Sequence, residues 1–335
     1  MKLHTMPAFE TFYISFVLSF ILSLLLTPFF IFLAKRFNIY DKPGPRKVHD
    51  KPVPYLGGLS IFFGFFITVG LVIFMGGKLG FFPVNFLTSK SYLFLTGISV
   101  GSFLIVIMGV IDDIRGISAK IKFIIQILIA FFMYKCGVSI EFISSLHYGM
   151  LFLPDWLSIL LTLFWITGIT NAVNLLDGLD GLLAGTSFIS GLMFAVITLM
   201  KGQYLVAILM FSISGACLGF LKYNFFPAKV FMGDSGSLFI GLLFASLTIT
   251  GAFKSSAFLI FFIPVIIMGL PIFDTTYAII RRFLGKQPIF KPDRGHIHHR
   301  LLNMGLSQKK AVLLIYFINI LLGLIGIYIA SLTIN

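Results

Sequence analysis

The stretch Ser91–Ile111, SYLFLTGISVGSFLIVIMGVI, runs without a charge and then meets two carboxylates, Asp112 and Asp113. Its apolar residues are continuous rather than alternating, so it reads as helix and not as a half-buried strand. As helix it rises about 30 Å, the thickness of a bilayer's hydrocarbon core. Nine similar runs flank it, at 10–34, 55–76, 119–136, 156–173, 182–200, 203–221, 236–252, 257–280 and 310–332. Only helices and closed barrels satisfy their backbone in lipid, and unbroken apolar runs are not barrel strands. The expected fold is an all-α integral membrane protein, a single polytopic domain over 1–335 with about ten transmembrane helices.

Composition agrees with that expectation. Of the residues, 58% are hydrophobic and 11% charged, which a soluble fold could not carry without large exposed apolar patches. The first run is too long for a signal peptide and is followed, not preceded, by Lys35-Arg36, so it reads as a retained helix. With ten spans and the first running inward, the inner segments are 35–54, 112–118, 174–181, 222–235 and 281–309. Nineteen of the 25 lysines and arginines lie on or beside these segments. That bias places them in the cytoplasm and both termini outside. The net charge of +13 therefore reflects topology and anionic headgroups. Nothing resembles a nucleic-acid-binding module. Cys136 and Cys217 are far apart and read as packing residues, and the pairs Gly97/Gly101 and Gly236/Gly241 are spaced for close helix contact.

Four inner segments carry the chemistry. Asp112-Asp113 closes the third run, where two carboxylates meet each other and the negative end of a helix dipole. A cation or a reaction is needed to compensate them. In Asn171–Gly181, NAVNLLDGLDG, the residues Asn174, Asp177 and Asp180 recur every third position and would form one polar stripe on a helical turn. Asp234, within VFMGDSGS at 230–237, reads equally as a helix cap or as a cation ligand. The fourth segment holds Gly295-His296-Ile297-His298-His299-Arg300, where three histidines beside arginines suit phosphate binding or proton handling. Five aspartates on neighbouring segments call for a hard, oxygen-loving cation, magnesium or manganese. Zinc does not fit, because the cysteines lie elsewhere and the histidines sit beside arginine. Asp274, inside the ninth run, should face protein and hold a basic partner.

The Asp112-Asp113 pair, NAVNLLDGLDG, VFMGDSGS and His296-Ile297-His298-His299-Arg300, in this order and on one side, resemble the polyprenyl-phosphate N-acetylhexosamine-1-phosphate transferases of glycosyltransferase family 4. Arg46-Lys47-Val48-His49 and Pro54-Tyr55-Leu56-Gly57-Gly58 extend the likeness into the first inner segment. The resemblance implies a multi-pass enzyme of the bacterial plasma membrane with a cytoplasmic active site. It implies attack by polyprenyl (undecaprenyl) phosphate on the β-phosphate of a UDP-sugar, with release of UMP. The branch that uses UDP-MurNAc-pentapeptide for peptidoglycan ends in three consecutive histidines, an aromatic residue and glutamate. This chain departs from that ending, which implies UDP-GlcNAc as donor and a cell-envelope glycan such as O-antigen or teichoic acid as the destination.

By the same likeness Asp234 would be the main magnesium ligand with Asp113 nearby, and Asp112 a base or a positioning group for the lipid phosphate. Asn174 and Asp177 would line the catalytic centre, and Asp180, Asn224 and Phe231 would meet the uridine. Lys122 and Lys51 would contact phosphates, and His296, His298, His299 and Arg300 the diphosphate or sugar. Family members often form homodimers. The alternatives are the peptidoglycan transferase and, from another class, a transporter of lipid-linked or nucleotide sugars. Transporters usually place their polar residues near the midplane, whereas these carboxylates gather at one end.

Overall fold

Helices account for most of the computed structural model, which describes residues 9–41, 51–79, 87–145, 149–252, 262–285 and 295–332. In chain order they are α1 (Phe9–Arg36), α2 (Gly57–Leu79), α3 (Ser89–Arg115), α4 (Ala119–Lys135), α5 (Asp155–Leu175) and α6 (Leu182–Met200). There follow α7 (Tyr204–Asn224), α8 (Gly233–Ala252), α9 (Phe262–Ile267), α10 (Gly269–Leu284), α11 (Ile297–Asn303) and α12 (Gln308–Ser331). Two small antiparallel ribbons join them, β1 (Tyr40–Asp41) with β2 (Val53–Pro54) and β3 (Phe142–Ser145) with β4 (Gly149–Phe152). The Arg46–His49 motif, Asp293 and Arg294 lie outside the described residues.

Among the described residues, eight helices are long and apolar enough to cross a membrane: α1, α2, α3, α5, α6, α7, α8 and α12. The other two expected runs take different forms. Helix α4 has 17 residues, at the short end of what spans a bilayer. The run at 257–280 begins outside the described residues and then divides at Met268 into α9 and α10. Pro271 explains the division: its ring has no N–H and crowds the carbonyl four residues back, that of Ile267 at the end of α9. The Ser190 hydroxyl on α6 donates to that carbonyl at 3.5 Å, a side-chain replacement for the lost helical bond.

Small residues set the helix contacts. Thr11, Ser15, Ser19, Ser23 and Thr27 recur every fourth position along α1, and all are buried. On α7, Gly215 and Gly219 abut the carbonyls of Phe16 and Phe20, so α1 and α7 approach backbone to backbone. In lipid such contacts replace the hydrophobic effect as the source of packing energy. Thr27 donates to Ser60 Oγ at 2.9 Å and ties α1 to α2. Such interhelical bonds contribute on the order of 0.6 kcal/mol.

Helix α8 is the buried axis, packed by α2, α3 and α5. Gly58 of α2 abuts Gly236, Gly109 of α3 abuts the Ser235 backbone, and Gly241 abuts Thr170 of α5. Gly97 and Gly101 of α3 abut Cys136 and Met133. These close approaches fix the first turn of α8 against the last turn of α3, and the candidate site is built there.

Candidate active site

Apolar counting ends the third run at Ile111, but helix α3 continues to Arg115, so Asp112 and Asp113 occupy its last turn. Adjacent helical residues diverge by about 100°, and the two carboxylates reach different partners. Asp113 turns to α8, whose first turn starts at Gly233. Its Oδ1 accepts from the Asp234 amide at 2.7 Å, and its Oδ2 accepts from the Ser235 amide at 3.2 Å and hydroxyl at 2.8 Å. Asp113 therefore caps α8 from another helix, meeting the donors and the positive dipole end left open at a helix start. Gly233, at φ 71°, brings its backbone against this carboxylate, where a Cβ would collide.

Asp112 accepts from the Ile117 amide at 2.6 Å and pairs through its other oxygen with Lys122 Nζ at 3.1 Å. The same ammonium lies 2.8 Å from Asp234 Oδ2. Asp234 Oδ1 accepts from Asn174 Nδ2 at 3.0 Å, and that amide also donates to Ser237 Oγ at 2.8 Å. The Asp234 carboxylate is thus oriented by α5 on one oxygen and by α4 on the other. Sequence reading left Asp234 open between helix cap and ligand. In the structure Asp113 does the capping, and the Asp234 side chain turns to Asn174 and Lys122 instead.

Asp112, Asp113, Asn174 and Asp234 form one wall of a cavity of about 770 Å³ at the helix ends, and Lys122 reaches two of them without being part of its lining, a volume within the range of small-molecule sites. Asp177, Asp180, Asn224, Phe231, Lys51 and His299 also line it. The polar stripe expected of Asn174, Asp177 and Asp180 is not helical, because α5 ends at Leu175 and the three diverge. Asp180 Oδ2 accepts from the Ala228 amide at 2.9 Å. Asn224 accepts from the Gly181 amide at 3.1 Å and donates to the Val230 carbonyl at 3.0 Å, stitching two cavity loops together. The Asp177 carboxyl is pushed up to about 7, first by burial and then by the charges of Asp234, Asp113 and Asp180.

The histidine segment differs from its sequence expectation. Of its expected contacts only His299 lines the cavity. His296 is buried, with Nδ1 2.9 Å from Asp274 Oδ2, while Asp274 Oδ1 accepts from the Ile297 amide at 2.8 Å. The basic partner of Asp274 is therefore His296. His298 is buried against Gly178, and burial, with the two neighbouring histidines, pulls its imidazole down to about 3. It is neutral at working pH and packs the aspartate loop from behind. Arg300 is exposed and lies over the Tyr277 ring at 5.4 Å, away from the cavity lining. His296, His298 and Arg300 are not among the residues that line the cavity; they meet Asp274, Gly178 and Tyr277 instead. His296 occupies the N-cap position of α11 and His298 its first turn, and both are buried while Arg300 is exposed.

Residues 95–252 match the family described as Glycosyl transferase family 4. The chain is 43% identical over 323 residues to the "Probable undecaprenyl-phosphate N-acetylglucosaminyl 1-phosphate transferase" of Bacillus subtilis (strain 168), covering 96% of this chain and 86% of the relative. The chain belongs to glycosyl transferase family 4. To the "Decaprenyl-phosphate N-acetylglucosaminephosphotransferase" of Mycolicibacterium smegmatis this family 4 chain is 38% identical, over 85% of its length and 73% of the relative's. To the "Phospho-N-acetylmuramoyl-pentapeptide-transferase" of Bacillus pumilus it is 33% identical, over 91% and 93%. It is accordingly a transferase in a multi-pass membrane fold.

Family 4 enzymes are generally divalent-metal dependent, and the residues present fit such an ion. Asp112, Asp113 and Asp234 each offer an oxygen, and these atoms lie within 4.8 Å of one another. An all-oxygen set suits magnesium or manganese, and the Lys122 ammonium already stands between two of the carboxylates as a cation. Two further family 4 cavity residues went unassigned in the sequence, Asp41 and Tyr55. Burial and Asp41, which hydrogen-bonds it, raise the Tyr55 phenol, so it remains a neutral donor. Tyr55 belongs to the quoted 54–58 motif, which was the available signal. Asp41 had none: it is a single acid five residues beyond the basic end of α1.

Proposed function

We propose that this chain transfers N-acetylglucosamine-1-phosphate from UDP-N-acetylglucosamine to undecaprenyl or another polyprenyl phosphate, releasing UMP, as a membrane step of cell-envelope glycan synthesis. The observation that carries the reading is the meeting of Asp112 and Asp234, joined by the Lys122 ammonium, on the wall that these two carboxylates give a polar cavity at the helix ends. A lipid phosphate must stay at the bilayer surface while it meets a water-soluble nucleotide, and a cavity at the ends of spanning helices meets both needs. The basic residues beside these ends support a cytoplasmic face for the site.

In this mechanism an oxygen of the lipid phosphate bonds to the β-phosphorus of the UDP-sugar, and the bond from that phosphorus to the bridging oxygen breaks, leaving UMP. Asp234 with Asp112 or Asp113 would hold magnesium, which would supply charge neutralisation for two phosphates brought together. Asn174 fixes the Asp234 carboxylate, and Asp113 fixes the helix start that carries it. Lys51 and Lys122 offset phosphate charge, and Asp112 positions the attacking phosphate. Phe231, Asn224 and Asp180 shape the end that receives the uridine. A phosphate nucleophile is already anionic at neutral pH, so the step needs no strong base.

Transfer is tested by incubating purified protein with UDP-N-acetylglucosamine labelled in the sugar, polyprenyl phosphate and magnesium, then extracting into butanol. Label in the organic phase, lost with EDTA, is expected. Full transfer by an Asp234→Asn variant would contradict the assignment of that residue. The relative from Bacillus pumilus makes the muramoyl-pentapeptide donor the second reading, and the same assay with that donor distinguishes the two.

A further inference from the structure

Two cations compete for one place in this site. Lys122 Nζ stands 2.8 Å from Asp234 Oδ2 and 3.1 Å from Asp112 Oδ2, and those two carboxylates belong to the set that fits a divalent ion. An ammonium at hydrogen-bonding distance takes up one lone-pair direction of each carboxylate oxygen, and its charge would repel a metal cation at such range. Lys122 is equipped to leave. It projects from the first turn of α4 on a flexible four-carbon stem, and its side chain keeps 23% exposure. The other anchors of the pair do not depend on it: Asn174 still holds Asp234, and the Ile117 amide still holds Asp112.

We propose that Lys122 is an internal counter-cation that a divalent ion must displace to load the site. Without the ion, the ammonium neutralises Asp112 and Asp234 and holds their oxygens in place. On loading it gives up Asp234 and becomes available to an incoming phosphate, so that the lysine serves the two states in turn. This inference rests on the metal-dependent reading given above. A lysine that merely braced the carboxylates would have the opposite effect on loading: its removal would loosen the ligands and weaken metal binding.

Manganese binding to the full chain in detergent, followed by electron paramagnetic resonance without any nucleotide, separates the two. Lys122→Met should bind Mn²⁺ roughly tenfold more tightly than the wild type, the size expected when two part-exposed ion pairs no longer have to be broken. Lys122→Gln should shift in the same direction and serves if the methionine variant does not fold. Equal or weaker Mn²⁺ affinity in the folded neutral variant would overturn the inference, and leave the transferase reading standing if the wild type still transfers sugar phosphate. Absence of saturable binding from wild type and variants would overturn the inference and the divalent-ion reading together.

Discussion

The proposed reaction centres on Asp234, whose carboxylate is held by Asn174 and Lys122. Asp234→Asn should lower turnover by roughly 100-fold or more, the scale seen when a group opposing developing charge is removed. Asn174→Ala, which frees the same carboxylate, should cost about 10–100-fold, as loss of an orienting partner does; steady-state transfer rates check both. Asp177 gives a pH signature. Its carboxyl keeps a proton to about 7 in the fold but only to about 4 when unfolded. Between those values the folded chain binds the extra proton, so this residue's contribution to stability falls as pH rises through the window and stays low above it. Metal-free protein should melt higher at pH 5 than at pH 8, and Asp177→Asn should flatten that difference in a thermal scan. The acidic residues were legible in the sequence because carboxylates at the ends of spans are costly without a purpose. The division of labour between Asp112 and Asp113 was not, because it depends on which one faces the start of α8.

At the scale of elements, the approach of α3 to α8 decides whether the site exists. A Cβ on Gly109 would lie 2.5 Å from the Ser235 Cα and N, and backbone at a helix crossing cannot give way as a side-chain tip can. Gly109→Ala should therefore destabilise by about 1–3 kcal/mol and reduce transfer by moving Asp234 away from Asp113. Gly168→Ala, with nothing within 4 Å of the added carbon, should do neither; thermal midpoints and turnover of the two variants make the comparison. The spans were readable from apolar runs, since length and hydropathy are local properties. Their functional ends were not. Counting apolar residues stops at the first charge, whereas helical hydrogen bonding carries α3 past Asp112-Asp113 to Arg115 and starts α8 at Gly233. The interruption between α9 and α10 was equally open to reading, because Pro271 stands in the sequence, but hydropathy alone passes over it. The burial of His296 and His298 was hidden, since their partners Asp274 and Gly178 lie far off in the chain.

For the whole molecule, charge asymmetry gives an orientation that labelling can check. Both native cysteines are buried, so single introduced thiols report cleanly. Lys90→Cys, at the start of α3, should react with a membrane-impermeant maleimide in intact cells, and Lys309→Cys, beside the cavity, only after permeabilisation. The reverse pattern would place the site outside. Whether the chain transfers the sugar phosphate is read from UMP release by the purified full chain with polyprenyl phosphate and magnesium. EDTA-sensitive UMP is expected from UDP-N-acetylglucosamine and none from UDP-MurNAc-pentapeptide. UMP from the pentapeptide donor alone, or no UMP from either with active lipid acceptor present, would contradict the proposed reaction.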